Sequence, residues 1–179
     1  SQVLRDLESE IGTSDLSNLV LIALIDAVGS LKVKNSGEFC EQFKLLLEVV
    51  TNTEPKFGIL NHRFANLFKY FSETVCCKDC NEAEWKKDVV ESINDILITA
   101  HRERSMLIHQ SDKLDVEGKT ILIHDHSHTV QKILAHFKSI GRNFKVVIAE
   151  QDHEKTQINI ESMHGAGISF QVVPAYMLS

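Results

Sequence analysis

The chain has 179 residues and a formal net charge of −6, and its 43% hydrophobic and 25% charged residues are typical of a folded globular protein. This acidic balance argues against direct nucleic-acid binding, which needs clustered Lys and Arg to displace counterions from phosphates. The longest uninterrupted apolar run, Leu19 to Ile25, is far shorter than the roughly 17–25 residues that cross a bilayer, so we expect no membrane partner.

Apolar residues recur at helical spacing through the first part of the chain. The first stripe, Leu16 to Val28, has candidate N-caps at residues 13–15 and a stop at Gly29. Apolar residues also fill its other faces, so we expect this helix to be buried nearly all round. Three more helices are predicted, at Phe39 to Val50, Leu60 to Val75 and Asn81 to about His109. Apolar helix faces this wide must pack against one another, which predicts a helical bundle over residues 1–112.

The four cysteines, Cys40, Cys76, Cys77 and Cys80, are too few for a disulfide-stabilised scaffold. Cys77-Lys-Asp-Cys80 has the spacing of redox motifs and zinc knuckles, but a predicted helix precedes it, whereas redox chemistry uses a strand followed by a helix. We therefore predict a loop with free thiols. Since the start of the chain carries no export signal, we expect a protein of the reducing cytoplasm.

The period changes after residue 112, where short β-branched runs alternate with helical stripes. Strands are predicted at Lys119 to His124, Phe144 to Ala149 and Ile168 to Val173, with helices around Val130 to Phe137 and Glu154 to His164. Gly165-Ala-Gly167 is interpreted as a helix stop, and Pro174 as the first residue of another helix. The pattern predicts an α/β fold: a helical bundle, then a partial Rossmann-like parallel sheet of about three strands over residues 113–179. One sheet edge would stay exposed, so we expect a truncated domain or a sheet completed by association.

Residues 118–179 carry a family resemblance. The informative segments are Ile-Leu-Ile-His124 ending the first strand, Ala-Glu150 ending the second and His-Gly-Ala-Gly-Ile168 leading into the third. Upstream, Glu54-Pro55 followed by Leu60-Asn61 is similar to an Arg-Pro loop and its helix. The chain resembles the translation initiation factor 2B alpha/beta/delta subunit family, which includes regulatory subunits and two isomerases, for methylthioribose 1-phosphate and ribose 1,5-bisphosphate.

The resemblance implies a choice between two functions. The isomerases use a cysteine just after the first strand, where this chain has Asp125, and an arginine where it has Glu54. The segment after Glu150 also lacks the expected arginines, so negative charge stands where a sugar phosphate needs cationic donors. We therefore expect a noncatalytic subunit that works through protein–protein contacts in a homo- or hetero-oligomer, without a cofactor. The alternative is a diverged sugar-phosphate isomerase; a sugar phosphate or nucleotide is the expected ligand class.

The candidate site follows the first two predicted strands. His124, Asp125, His126 and Ser127 come after the first strand and Glu150 after the second, at the sheet edge where open α/β folds bind ligands. If the strand continued, His124, His126 and His128 would share one face and could bind a metal. Asp125 could instead be a general base. The remaining interpretation is that Ser127 caps a helix, Asp125 complements its dipole and the histidines are solvated or hydrogen-bonded locally.

Overall fold

The apolar stripes of the first hundred residues fold as helices. The computed structural model describes residues 2–53, 57–76, 82–150 and 152–178. Within those ranges the bundle consists of α1 Gln2–Ile11, α2 Thr13–Ser30, α3 Ser36–Asn52, α4 Gly58–Thr74 and α5 Glu82–Ser111. The predicted stripes account for α2 to α5 but not for α1. The predicted cap of α5, Asn81, and the Glu54-Pro55 segment lie outside the described residues.

Helix α2 begins differently from the prediction, because Gly12 is its N-cap and residues 13–15 lie inside the helix. The Gly12 N–H donates to the Glu8 carbonyl of α1, and the Gly12 carbonyl accepts from the Leu16 N–H, so one residue joins the two helices. Its φ of 82° lies in the left-handed region, which glycine adopts without a Cβ penalty. The start of α2 is therefore set by a glycine that can adopt this turn, and not by a capping side chain.

Aromatic side chains form the centre of the helical bundle. Phe39 of α3 stacks on Trp85 of α5 with ring centroids 4.8 Å apart, and Phe43 meets Phe71 of α4 edge-on at 4.9 Å. Phe64 stacks on Phe43 at 5.7 Å. All five rings are buried, so the predicted stripes do face one another.

The chain divides into two compact units, Ser1–Arg102 and Glu103–Ser179. The change of unit falls within α5, and the domain boundary predicted between residues 112 and 113 lies just after that helix. We refer to residues 1–102 as the helical unit and to residues 103–179 as the sheet unit.

Helix α2 is less buried than predicted. Its Leu16, Leu21 and Val28 are buried, but Leu19 and Ile22 are 45% and 49% exposed, so the expectation of burial all round is wrong. By length and composition alone, α2 is also apolar enough to cross a membrane, which the unbroken run Leu19 to Ile25 did not indicate. Core helices of soluble proteins pass the same test, and α2 packs against α1 and α4.

A disulfide joins Cys40 of α3 to Cys76, which follows α4. The two Cα atoms are 6.1 Å apart, and 36 positions separate the residues in sequence. Such a bond is unusual in the reducing compartment that the sparse cysteines predict. Cys77 and Cys80, the pair with motif spacing, lie outside the described residues.

Residues after α5 form the predicted alternation of strands and helices. The elements are β1 Thr120–Ile123, α6 His128–Ser139, β2 Lys145–Glu150, α7 His153–Gly165, β3 Phe170–Pro174 and a short 3-10 helix, Ala175–Leu178. The strands pair in parallel in the order β1-β2-β3, which confirms the α/β fold class. Pro174 is the last residue of β3 and not the first of a helix; β3 is at an edge of the described sheet, where the missing N–H of proline is tolerated.

The register gives the sheet one buried face. Ile123 pairs with Ile148 and both are buried, whereas Leu122, on the opposite face, is 52% exposed. Helix α7 ends as predicted: Gly167 has φ 64°, and the Ile168 N–H donates to the Met163 carbonyl at 2.9 Å. This C-terminal turn directs the chain into β3.

Candidate functional site

The predicted site residues lie at the carboxyl ends of β1 and β2. Strand β1 ends at Ile123, residues 124–127 form a connection, and α6 begins at His128. Glu150 is the exposed last residue of β2. Parallel strands end at the same edge of a sheet, so the connection and Glu150 belong to one edge.

The histidines do not continue the strand, so the condition for a shared histidine face is not met. His126 and His128 instead contact each other directly, with Nε2 of His126 3.0 Å from Nδ1 of His128 and ring planes 80° apart. His124 is exposed, one residue beyond β1. Across the described ranges, no group of three or more His, Cys, Asp or Glu side chains is placed to hold a metal ion. The described histidines therefore do not form the cluster that the conditional metal interpretation needed.

Two amides missed by the sequence prediction complete the contacts of His126. Nδ1 of His126 lies 3.4 Å from Oδ1 of Asn159 on α7 and 3.2 Å from Nε2 of Gln131 on α6. Gln131 Nε2 also donates to Asn159 Oδ1 at 3.3 Å. We call His126, His128, Gln131 and Asn159 the imidazole–amide network. Asn159 is only 4% exposed, and a polar residue on the buried face of α7 was the available sequence signal.

The network can be satisfied by two neutral tautomers of His126. If Nδ1 is bare, it accepts from Gln131 and Nε2–H donates to His128. If Nδ1 carries the proton, it donates to Asn159, and Nε2 accepts from the Nδ1–H of His128. The same atoms can therefore present a donor or an acceptor without any group becoming charged.

The surroundings of His126 favour its neutral form. Burial lowers the pKa of His126, and the neighbouring His128 lowers it further, against a smaller opposing effect from the hydrogen bond to Asn159. A neutral imidazole among amides is a hydrogen-bonding surface, not a cationic site for phosphate.

Asp125 is exposed, and one of its carboxylate oxygens contacts two neighbouring groups. Its Oδ1 accepts the His126 backbone N–H at 2.7 Å and lies 3.1 Å from Nζ of Lys155. The N–H bond first and then Lys155 lower the pKa of Asp125, so the carboxylate stays ionised and is a weak base. Lys155 is shared with Asp152, whose Oδ2 is 3.9 Å away, and bonding to Asp125 raises the pKa of Lys155.

Ser127 has a structural role. It is the N-cap of α6, and its Oγ accepts the Val130 N–H at 3.4 Å, as the capping interpretation predicted. The edge thus combines a neutral network, a capped helix and a carboxylate paired with lysine. It can bind hydroxyl or amide groups, and its Lys155 is already paired with the carboxylates of Asp125 and Asp152.

Comparison with known families gives one match over most of the chain. The model described as the initiation factor 2 subunit family matches residues 10–178. No curated protein sequence matches the chain closely enough to count as a relative.

Solved structures share the fold at low sequence identity. The crystal structure of eIF2B delta from Chaetomium thermophilum aligns with a TM-score of 0.74 and 17% identity, covering 90% of this chain and 62% of that one. A chain of the tetrameric eIF2B-beta2-delta2 complex from C. thermophilum gives 0.74 and 18%, covering 90% and 54%. The eIF2B beta structure from Chaetomium thermophilum gives 0.61 and 16%, covering 99% and 62%. The chain thus spans less than two thirds of each of these structures.

Proposed function

Because the chain belongs to the initiation factor 2 subunit family, as its last third predicted, we propose that it is a noncatalytic, translation initiation factor 2B-like subunit that acts through protein–protein contacts. The noncatalytic part of this proposal rests on the contacts of Asp125 and on its lowered pKa. In the resemblance described above, this residue stands where the isomerases have their cysteine. Here it is ion-paired with Lys155 and has a lowered pKa.

Isomerisation of an aldose phosphate requires a base that accepts a proton from carbon. A general base works best with a pKa near the working pH, and the contacts of Asp125 move its pKa in the opposite direction. A phosphate group also needs free cationic donors, whereas Lys155 is held by Asp125 and Asp152. Both features support a subunit without isomerase chemistry.

The partners we propose are subunits of the same family, in a homo- or hetero-oligomer in the cytoplasm. One similar structure is a beta2-delta2 tetramer. In this chain α2 and α3 border an apolar groove of about 200 Å³, lined by Leu24, Val28, Phe39 and Leu46 among others. Exposed Leu45 and Val49 lie one helical turn apart on α3. Apolar surface of this kind is typical of proteins that associate.

Turnover of ribose 1,5-bisphosphate and methylthioribose 1-phosphate tests the noncatalytic part. We expect neither substrate to be isomerised by the full chain. Isomerisation that Asp125→Ala abolishes would refute the proposal. The matched control is Asp115→Ala, because Asp115 is also exposed and paired with a lysine, Lys119 at 2.6 Å, but precedes β1 at the opposite edge.

Association is tested by sedimentation velocity of the chain alone and mixed with purified eIF2B beta or delta subunits. We expect faster-sedimenting species in at least one of these samples. An unrelated acidic protein of similar size serves as the control. A chain that stays monomeric alone and with both subunits contradicts the protein–protein part, whatever the turnover assay gives.

The imidazole–amide network supports a second, smaller proposal, that this edge binds the hydroxyl groups of a sugar phosphate or nucleotide. Buried Asn159 and half-buried Gln131 supply donors and acceptors at the edge where ligands of open sheets bind. Titration with ribose 1,5-bisphosphate should shift the imidazole NMR signals of His126 and His128. Imidazole signals that do not shift at high ligand concentration would contradict this proposal.

A further inference from the structure

Cys40 and Cys76 of the helical unit are placed to form and release a disulfide. Their Cα separation of 6.1 Å lies within the range of about 4.4–6.8 Å that disulfides span. Both residues are half-buried, so a small thiol can reach them from solvent. Neither belongs to the sheet-unit site, and neither is used by the proposed function.

The packing of α3 on α4 sets this placement. Phe39 contacts Phe71, and Phe43, one turn later, contacts Phe71 and also Phe64, which lies earlier in α4. As α3 advances, its partners on α4 move backwards, so the two helices are antiparallel. The start of α3, which carries Cys40, is thereby held beside the end of α4, which precedes Cys76.

The aromatic contacts do not involve the sulfur atoms, so we expect them to hold the two thiols close together in the reduced chain as well. Two thiols held within bonding reach form a disulfide without rearranging the backbone. In a glutathione-buffered compartment such a bond is transient and redox-sensing, whereas in an oxidising one it is permanent.

We propose that Cys40 and Cys76 are a reversible redox modification site whose co-reactant is a small disulfide of the glutathione class. One protein thiolate attacks a sulfur of oxidised glutathione, which releases one glutathione thiol and leaves a mixed disulfide on the protein. The second cysteine then attacks the protein sulfur of that mixed disulfide and releases the other glutathione. Two protein thiols are oxidised, and one small disulfide is reduced to two thiols that take up the two protons.

Oxidation should stabilise the helical unit. The bond closes a loop across 36 positions, which restricts the unfolded chain more than the folded one. For a unit of this size we expect the oxidised protein to melt roughly 10 °C above the reduced protein.

The experiment equilibrates the full chain in mixtures of reduced and oxidised glutathione, alkylates the remaining thiols and maps the tryptic peptides. Cys40 falls in peptide 35–44, and Cys76 shares peptide 70–78 with Cys77. The mapping therefore uses Cys77→Ser with Cys80→Ser, which leaves one pair. Cys40→Ser in that background is the matched control, because it retains Cys76 but no partner.

In the two-cysteine chain, we expect peptides 35–44 and 70–78 to become linked as oxidised glutathione increases and to separate again when reduced glutathione is added. The melting temperature should follow the linked fraction, and the Cys40→Ser control should show no such change. The proposal fails if Cys40 stays alkylatable in excess oxidised glutathione. It also fails if the bond, once formed, survives excess reduced glutathione, since the site is then structural and not reversible.

Discussion

The helical unit and the sheet unit use their buried polar atoms differently. In the described part of the chain, the buried side-chain atoms without a hydrogen-bond partner are Asn61 Oδ1 and Trp85 Nε1, both in the helical unit. Asn159 of the sheet unit is also buried, but its Oδ1 faces Gln131 and His126. The core of the bundle is formed largely by aromatic contacts, whereas the sheet unit places directional hydrogen bonds at the edge where ligands of open sheets bind.

The largest expected effect tests the aromatic half of this comparison. Phe71→Ala should lower the free energy of unfolding by about 3–5 kcal/mol, because it empties a position that contacts both Phe39 and Phe43. Urea denaturation followed by circular dichroism measures the loss. Tyr70→Ala is the matched control, since Tyr70 is 43% exposed on the same helix. Equal losses at the two positions would show that burial at Phe71 is not what stabilises the bundle.

A buried amide should produce the next largest effect. Asn159→Leu keeps the volume but leaves Gln131 and His126 without the Oδ1 acceptor, so we expect a loss of about 1–3 kcal/mol in the same urea assay. Gln157→Leu, at an exposed position of α7 that pairs with Glu161, should change stability by less than about 0.5 kcal/mol. A more stable Asn159→Leu protein would mean that the network only interrupts an apolar surface.

Lys86 tests whether the helical unit also depends on a directional contact. Its Nζ donates to the Leu31 carbonyl at 2.9 Å and to that of Gly29 at 3.5 Å, beside the C-terminal end of α2. Lys86→Met retains the apolar stem and should cost about 1 kcal/mol. Lys87→Met, which removes only an exposed pair with Glu91, should cost close to zero. If both variants match the wild type, the carbonyl contacts of Lys86 contribute nothing measurable.

The sequence predicted periodic elements better than it predicted their surroundings. Helical spacing located α2 to α7, and β-branched runs located the three strands, because both signals are local. It did not show that neighbouring helices leave Leu19 and Ile22 exposed, since coverage depends on which elements pack together. The Cys40–Cys76 bond likewise depends on the antiparallel arrangement of α3 and α4 across 36 positions.

The candidate site shows the same limit. Asp125, His126 and Ser127 were identified because they follow a strand, which is a local feature of the sequence. Gln131 and Asn159 come from two different helices, and only the packing of α6 and α7 brings them to His126. Sequence spacing therefore predicted the location of the edge but not the hydrogen bonds that keep it neutral.

The smallest expected effect is a pH dependence of stability that belongs to the sheet unit. Burial lowers the pKa of His126 below its usual 6.5, with a further contribution from His128. Between the folded pKa and 6.5, the unfolded chain binds more protons than the folded chain. Stability from this group is therefore fully present above pH 6.5. It falls as the pH drops below 6.5 and levels off below the folded pKa.

Urea denaturation between about pH 8 and pH 5 can isolate this contribution, because the carboxylates remain largely ionised over that range. His126→Gln keeps a polar side chain but removes the proton, so its free energy of unfolding should fall less steeply below pH 6.5 than that of the wild type. His62→Gln, at an exposed position of α4 in the helical unit, is the control and should keep the wild-type slope. A slope unchanged by His126→Gln would mean that this imidazole protonates as readily in the folded chain as in the unfolded one. The distinction between a neutral network in the sheet unit and an ordinary solvated histidine would then be lost.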